Sequence, residues 1–344
     1  MSFFAFLRGE DLLILLTALA LGGAGAWAVS RFAYKLGVID IPTGRSSHSK
    51  PTPKGGAVGI ALAFVVLAVY LGLPPLFWLS VLAVAAVSFW GDRTPLSPLF
   101  RLVVQFGAAF VALGAFWNAD LLPVAPLPAT WVVLLPYLAF LAVFVVGTAN
   151  FYNFMDGING LAALTAIVAF GALAFYSSHS GARGWAVLSL GMAFASLGFL
   201  PFNFPRAKVF MGDVGSILLG FLFASVVLAV ASSVWEAALL ASFLFLFYID
   251  EISTMWERIK DGWGLTKPHR RHLYQVLANE AGFPHWVVSV GYAAVQLVLN
   301  LVFWAAWERG FWLFLLAVLM AAVAFVLIER KVKAHYGMLS VPVG

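Results

Sequence analysis

The sequence predicts an all-α, polytopic integral membrane protein, and three observations carry that expectation. Of 344 residues, 63% are hydrophobic and only 10% are charged, whereas a soluble domain carries about 45–50% apolar and about 25% charged residues. The mean hydropathy is +0.97. Apolar runs near the roughly 20 residues that a bilayer crossing requires recur along the whole chain. A chain this apolar cannot bury its own surface, which excludes a soluble enzyme, a disordered chain and a DNA-binding module. No nucleic-acid partner is expected. The absence of Cys excludes disulfides, iron–sulfur clusters and thiol nucleophiles.

The runs fall at 12–30, 56–73, 75–91, 102–118, 131–149, 158–177, 184–201, 214–233, 236–255, 285–307 and 310–328. They predict about eleven transmembrane helices in one domain, 1–344, with no repeat and no linker long enough to divide it. The first run ends near Ala26-Trp27-Ala28, which has the form of a signal-peptide cleavage site. Its leader, however, holds Arg8 with Glu10 and Asp11, and five basic residues follow it. A cleaved signal would export that basic loop, so the run is expected to remain as a span. The other connections outside are short or Pro-rich, as in Asp120 to Pro128.

Lys and Arg collect in cytoplasmic loops. Here 17 of 20 fall in alternate loops: Arg31, Lys35, Arg45, Lys50 and Lys54; Arg93 and Arg101; Arg206 and Lys208; Arg258 to Arg271; and Arg330 to Lys333. Only Arg8, Arg183 and Arg309 remain for the other face, which predicts an external N-terminus and a cytoplasmic C-terminus.

Carboxylates are costly within a bilayer and tend to mark function there. Asp92, Asp156, Asp213, Asp250 and Glu251 all fall at the expected cytoplasmic ends of spans, with none near a midplane. That distribution opposes an ion-coupled carrier and points to chemistry at the inner surface, although any single acid at a helix end is also an ordinary cap.

Three segments stand out. In Asn150-Phe-Tyr-Asn-Phe-Met-Asp-Gly-Ile-Asn-Gly-Leu161, the spacing of Asn150, Asn153 and Asp156 predicts one shared helix face, and Gly157 and Gly160 permit close backbone approach. In Asn203-Phe-Pro-Arg-Ala-Lys-Val-Phe-Met-Gly-Asp-Val-Gly-Ser216, Asp213 precedes a span. A lone carboxylate with small neighbours suits Mg²⁺, which completes its octahedron with waters and phosphates. Two Gly-rich turns would give the same pattern. In Lys267-Pro-His-Arg-Arg-His-Leu-Tyr-Gln275, two His and two Arg suit a pyrophosphate; an anionic-lipid patch or a zinc pair would use the same residues, though no third zinc ligand lies nearby. Just before it, Trp256, Ile259 and Trp263 recur at helical spacing, as in a segment lying in the interface. The basic first loop, Gly44 to Gly56, lacks the P-loop pattern.

Together these segments resemble the polyprenyl-phosphate N-acetylhexosamine-1-phosphate transferases, the MraY- and WecA-like superfamily. Asn150 to Leu161 is similar to the family's NxxNxxDGxDGL motif, Phe210 to Ser216 to FMGDxGS, and Pro51 to Gly56 to PTPRGG. Leu96, Ser97, Pro98 and Gln105 follow its aspartate-rich motif. The Pro268 to Gln275 segment is closer to the O-antigen-initiating branch than to the triple-histidine form.

The resemblance implies transfer of a sugar 1-phosphate from a UDP-linked N-acetylhexosamine to undecaprenyl phosphate, releasing UMP. It further implies Mg²⁺ as cofactor, a multi-pass protein of the bacterial inner membrane, and an active site on the cytoplasmic face that starts a cell-envelope polysaccharide. Asp92, Asp156 and Asp213 match the catalytic acids, with Asp213 and Asp156 for the metal. Lys54, Asn150, Asn153, Asn203, His269, Arg271 and His272 match substrate-binding positions, and Phe210 matches an aromatic placed to stack on uracil. Membrane lipids are the expected surroundings, and a homodimer is compatible with the family. Two departures are notable. Gly91-Asp92 replaces a pair of adjacent acids, and Asn159 stands where Asp is common. They leave room for a non-catalytic relative that binds the lipid carrier; a secondary transporter is the remaining alternative.

Overall fold

The computed structural model describes residues 6–42, 47–119, 131–262 and 270–337. His269, Lys267, Pro268 and Trp263, the Gly44-Arg45 part of the first loop and the 120–128 connector lie outside the described residues. The chain is a bundle of helices: α1 (Gly9–Leu36), α2 (Val58–Tyr70), α3 (Pro75–Arg93), α4 (Pro98–Asn118), α5 (Trp131–Phe154), α6 (Leu161–His179), α7 (Arg183–Asn203) and α8 (Asp213–Val230). There follow α9 (Val234–Ala241), a 3₁₀ turn, α10 (Phe245–Lys260), the short α11 (Leu273–Gln275), α12 (His285–Trp307) and α13 (Phe311–His335). Strands β1 (Ile39–Asp40) and β2 (Thr52–Pro53) form a two-residue antiparallel ladder in the first loop.

Among the described residues, ten helical stretches are long and apolar enough to cross a membrane, with α9 and α10 acting as one, Val234–Lys260. The chain is a multi-pass membrane protein. The eleventh expected crossing, 56–73, contracts to the 13 residues of α2, about 20 Å at 1.5 Å per residue. That is less than the roughly 30 Å hydrocarbon thickness. The Gly55-Gly56 turn takes up the apolar residues before it.

Burial differs sharply among helices of similar hydropathy. Through its most apolar stretch α8 is 94% buried, while α13 is 11% buried. Helix α8 is thus enclosed by its neighbours, and its first residue is Asp213. Several helices also outrun the apolar segments that predict them. α5 continues to Phe154 and carries Asn150 and Asn153 in its last turns. Hydropathy ends where polar side chains begin, but the backbone hydrogen bonds continue.

Candidate active site

Two loops at one end of the bundle are tied together by backbone bonds. The β1–β2 ladder brings the 51–57 loop back to the end of α1, where the Lys54 N–H donates to the Val38 carbonyl at 3.0 Å. That loop then pairs with the segment before α8: Phe210 N–H donates to Pro53 O at 2.7 Å, Gly56 N–H to Phe210 O at 2.9 Å, and Ala57 N–H to Met211 O at 3.2 Å. Gly212 closes the arrangement with φ +77°, and a Cβ there would lie 2.6 Å from both Asp92 Oδ2 and the Gly55 nitrogen. Only glycine fits.

Three acids reach this cluster from separate elements, and they differ in their partners. Asp92, at the end of α3, accepts the N–H groups of Asp213 and Val214, both at 3.3 Å. It therefore caps α8 from a neighbouring helix, satisfying donors that a helix start leaves unpaired. Asp213 pairs with the guanidinium of Arg101 from the first turn of α4, a turn begun by Ser97, whose hydroxyl accepts Phe100 N–H. Asp156 lies just past α5, its N–H donating to Asn153 O at 3.1 Å. The expected helical face thus holds through Asn153, and Asp156 follows it in a turn. The Asp156 carboxylate forms no hydrogen bond or ion pair among the described residues. Burial, with the charges of Asp213 and Asp92, pushes its pKa well above the usual carboxylate range. Lys54 is close enough to Asp92 to offset part of its charge.

The amides expected to hold substrate are engaged with the protein. Asn150 Nδ2 donates to Gln105 Oε1 at 2.7 Å, joining α5 to α4, and Asn153 Oδ1 accepts the Ser216 hydroxyl at 2.6 Å, joining α5 to α8. Asn203 is 4% exposed; its Oδ1 accepts Gly160 N–H at 2.7 Å and its Nδ2 donates to Val209 O at 3.0 Å. It links the 156–160 turn to the loop before α8. Phe210 packs against His48, ring centroids 4.9 Å apart at 67°, and His48 faces Asp40 at 3.6 Å.

The histidine segment is anchored rather than open. His272 is 2% exposed, with Nδ1 3.5 Å from Asp250 and Nε2 3.3 Å from Glu251. Burial alone would lower its pKa, but the two acids outweigh that and raise it above the ordinary imidazole value. Asp250 also accepts Leu273 N–H at 2.9 Å and the Tyr292 hydroxyl at 2.7 Å. Arg271 pairs with Asp261 just past α10. Two residues beyond His272, the Tyr274 hydroxyl donates to Phe154 O at 2.9 Å, and a Cβ on Gly157 would lie 2.2 Å from that hydroxyl oxygen. The segment is therefore pressed onto the Asp156 turn. Trp256 and Ile259 are exposed on the outer face of α10, with the Lys260 ammonium 5.1 Å from the Trp256 ring, as an interfacial helix would have them.

Beside the turn lies an open cavity of about 900 Å³, lined by Asn159, Phe204, Arg206, His285 and Trp286 among others. Asn159 is held by its carbonyl, which accepts the Ser289 hydroxyl at 2.8 Å. The role of Arg101 did not come from the motifs. Its position one turn after a Ser-Pro helix start, nine residues beyond Asp92, is the signal that was there to find it.

Among the described residues, no group of three or more His, Asp or Glu could hold a metal by protein ligands alone. Mg²⁺ asks for less, since one or two carboxylates with waters and substrate phosphates suffice. An unpartnered Asp156 among neighbouring acids is a donor set short of positive charge, and it fits such an ion.

Known proteins resemble this chain. Residues 75–231 match the family model described as glycosyl transferase family 4. The chain is 28% identical over 333 residues to the decaprenyl-phosphate N-acetylglucosaminephosphotransferase of Mycobacterium tuberculosis (strain ATCC 25618 / H37Rv), covering 86% of this chain and 80% of the relative. It is 27% identical over 266 residues to the undecaprenyl-phosphate alpha-N-acetylglucosaminyl 1-phosphate transferase of Escherichia coli (strain K12), covering 74% and 72%. A probable undecaprenyl-phosphate N-acetylglucosaminyl 1-phosphate transferase of Bacillus subtilis (strain 168) is 29% identical over 200 residues, 56% of this chain and 55% of the relative. These matches, with the ordered motifs at one end of a helical membrane bundle, make the chain similar to glycosyl transferase family 4 and to its polyprenyl-phosphate N-acetylglucosamine-phosphotransferases.

Proposed function

We propose that this chain transfers a sugar 1-phosphate, N-acetylhexosamine 1-phosphate, from a UDP-sugar to undecaprenyl phosphate, releasing UMP, at the cytoplasmic face of a bacterial inner membrane. The reading rests chiefly on one observation: Asp92, Asp156 and Asp213 come from three elements to one end of the bundle, with Arg101 and Lys54 among them. The names of the relatives supply the reaction class. The basic excess on the same side supports the orientation, with the N-terminus outside and the C-terminus inside.

Asp213 and Asp156 would hold Mg²⁺, which when bound supplies charge neutralisation to the diphosphate. The protein's own part is to position and to supply charge. Asp92 holds the start of α8, and with it Asp213, in register. Lys54 and Arg101 offer cations to phosphate oxygens. Asn150, Asn153 and Asn203 fix the walls through their bonds to Gln105, Ser216 and Gly160. His272, caged by acids, acts indirectly by holding the loop that carries His269 and Arg271. The cavity at Asn159 and Trp286 has the size and the aromatic and basic lining to take the nucleoside or the sugar. Phe210 would serve as an aromatic wall for uracil.

No acid stands at Gly91, and none is required by the chemistry. A phosphate monoester has its second pKa near 6, so the lipid phosphate is already mostly dianionic at pH 7. The deciding experiment uses purified protein in detergent with undecaprenyl phosphate, a panel of UDP-sugars and Mg²⁺, following UMP release. One UDP-N-acetylhexosamine is expected to be turned over, and chelation of the metal should abolish release. No release with any donor would favour a non-catalytic, carrier-binding relative.

A further inference from the structure

The three acids of the site differ in what faces them, and one of them is paired with an arginine. Asp92 takes two backbone N–H groups and the influence of Lys54. Asp156 has no partner among the described residues. Asp213 holds the guanidinium of Arg101, and both side chains are 28% exposed, so the pair is open to solvent. A divalent cation at Asp213 would meet a resident positive charge at contact distance, a like-charge conflict.

We propose that Arg101 is a built-in competitor of the divalent cation for Asp213. The inference rests on the reading of Asp213 as a metal-binding acid and adds an order to it. Without substrate, the guanidinium occupies the carboxylate and keeps metal affinity low. When a diphosphate enters, its oxygens draw the guanidinium away, because planar guanidinium binds phosphate as readily as carboxylate. The freed Asp213 then accepts the cation. Metal and nucleotide binding are coupled through one side chain, and by linkage each must strengthen the other. An ion pair that served folding alone would lower stability on removal and leave the response of cation binding to UDP unchanged.

The test measures Mn²⁺ binding by electron paramagnetic resonance to the purified full chain in detergent, without nucleotide, and then with UDP. Arg101→Gln is expected to bind Mn²⁺ about tenfold more tightly than the wild type, with Arg101→Lys between the two. UDP should tighten Mn²⁺ binding more in the wild type than in Arg101→Gln. An Arg101→Gln protein that melts like the wild type but binds Mn²⁺ equally or more weakly overturns the proposal. Should Arg101→Gln not fold, Arg101→Lys decides, and no gain in affinity there overturns it as well. The metal assignment itself is tested separately by Asp213→Asn: if that variant binds Mn²⁺ as the wild type does, the reading of Asp213 fails rather than the competition.

Discussion

Asp11 and Asp156 are both set within the protein, one on α1 and one in the turn after α5, and they could hardly be treated more differently. Asp11 is fully buried and completely engaged. Arg183 donates to both its oxygens at 2.8 and 2.6 Å, the Tyr70 hydroxyl to Oδ1 at 2.9 Å and the Arg8 N–H to Oδ2 at 2.6 Å. It joins α1, α2 and α7 and leaves nothing over for a ligand. Asp156 has no partner among the described residues, and its neighbours Asp213 and Asp92 carry its own sign. A buried acid whose oxygens are all satisfied serves the fold, whereas one left short of positive charge is a candidate to receive a cation.

The contrast can be broken in four ways, from the largest expected effect downward. Asp11→Asn leaves Arg183 without its counter-charge; because Arg183 is 30% exposed, the cost should fall at the low end of the range for a broken buried pair, about 3 kcal/mol. Denaturation in mixed micelles measures it, and the folded fraction should keep its specific activity. Asp213→Asn should do the reverse, with a normal unfolding curve and turnover down at least about a hundredfold, roughly 2.7 kcal/mol. A variant with both defects, or neither, would erase the distinction between the two kinds of acid.

Gly91 sharpens the same comparison. A Cβ there would be 3.6 Å from Leu96 Cδ1, so Gly91→Asp fits sterically while adding a fourth acid to a site already rich in them. Little gain in rate is expected, and the wild-type rate should rise as pH passes through about 6 to 7, where the phosphate dianion forms. An inactive wild type rescued by Gly91→Asp would falsify the view that no base is needed. The smallest effect belongs to His272. Its pKa is raised in the folded protein, so its contribution to stability is fully present below the ordinary imidazole value of about 6.5 and is lost as pH rises through the raised value. Melting temperature followed from pH 6 upward should decline over that interval in the wild type and lose that component in His272→Gln.

The apolar runs located each of the ten helices among the described residues that are long and apolar enough to cross a membrane, because hydropathy is what partitions a segment into lipid. It could not tell α8 from α13, since lipid and protein interior are equally apolar. The shortness of α2 escaped it for a related reason, as turn residues before the helix are apolar too. Asp92 and Asp213 were legible at helix ends next to glycines. The Asp11–Arg183 pair was not, because its partners are 172 positions apart and each alone is an ordinary charge at a helix start. Likewise, residue type and spacing marked Asn203 and His272 as polar groups near the chemistry. Only the packed structure reveals that Asn203 spends both ends of its amide on backbone and that His272 sits between two carboxylates.

The bonds between the 53–57 loop and residues 210–211 have a bearing on how the protein is made. Pro53 and Phe210 are 157 positions apart, and at about 5–20 residues per second a ribosome needs roughly 8–30 s to cover that distance. Through that interval the first loop waits at the membrane surface with its partner strand unsynthesised. The segment that seats Tyr274 on the Phe154 carbonyl emerges later still. Insertion of the early helices therefore comes well before the candidate site can assemble, and a nascent chain halted before α8 would hold the first loop without the segment it pairs with.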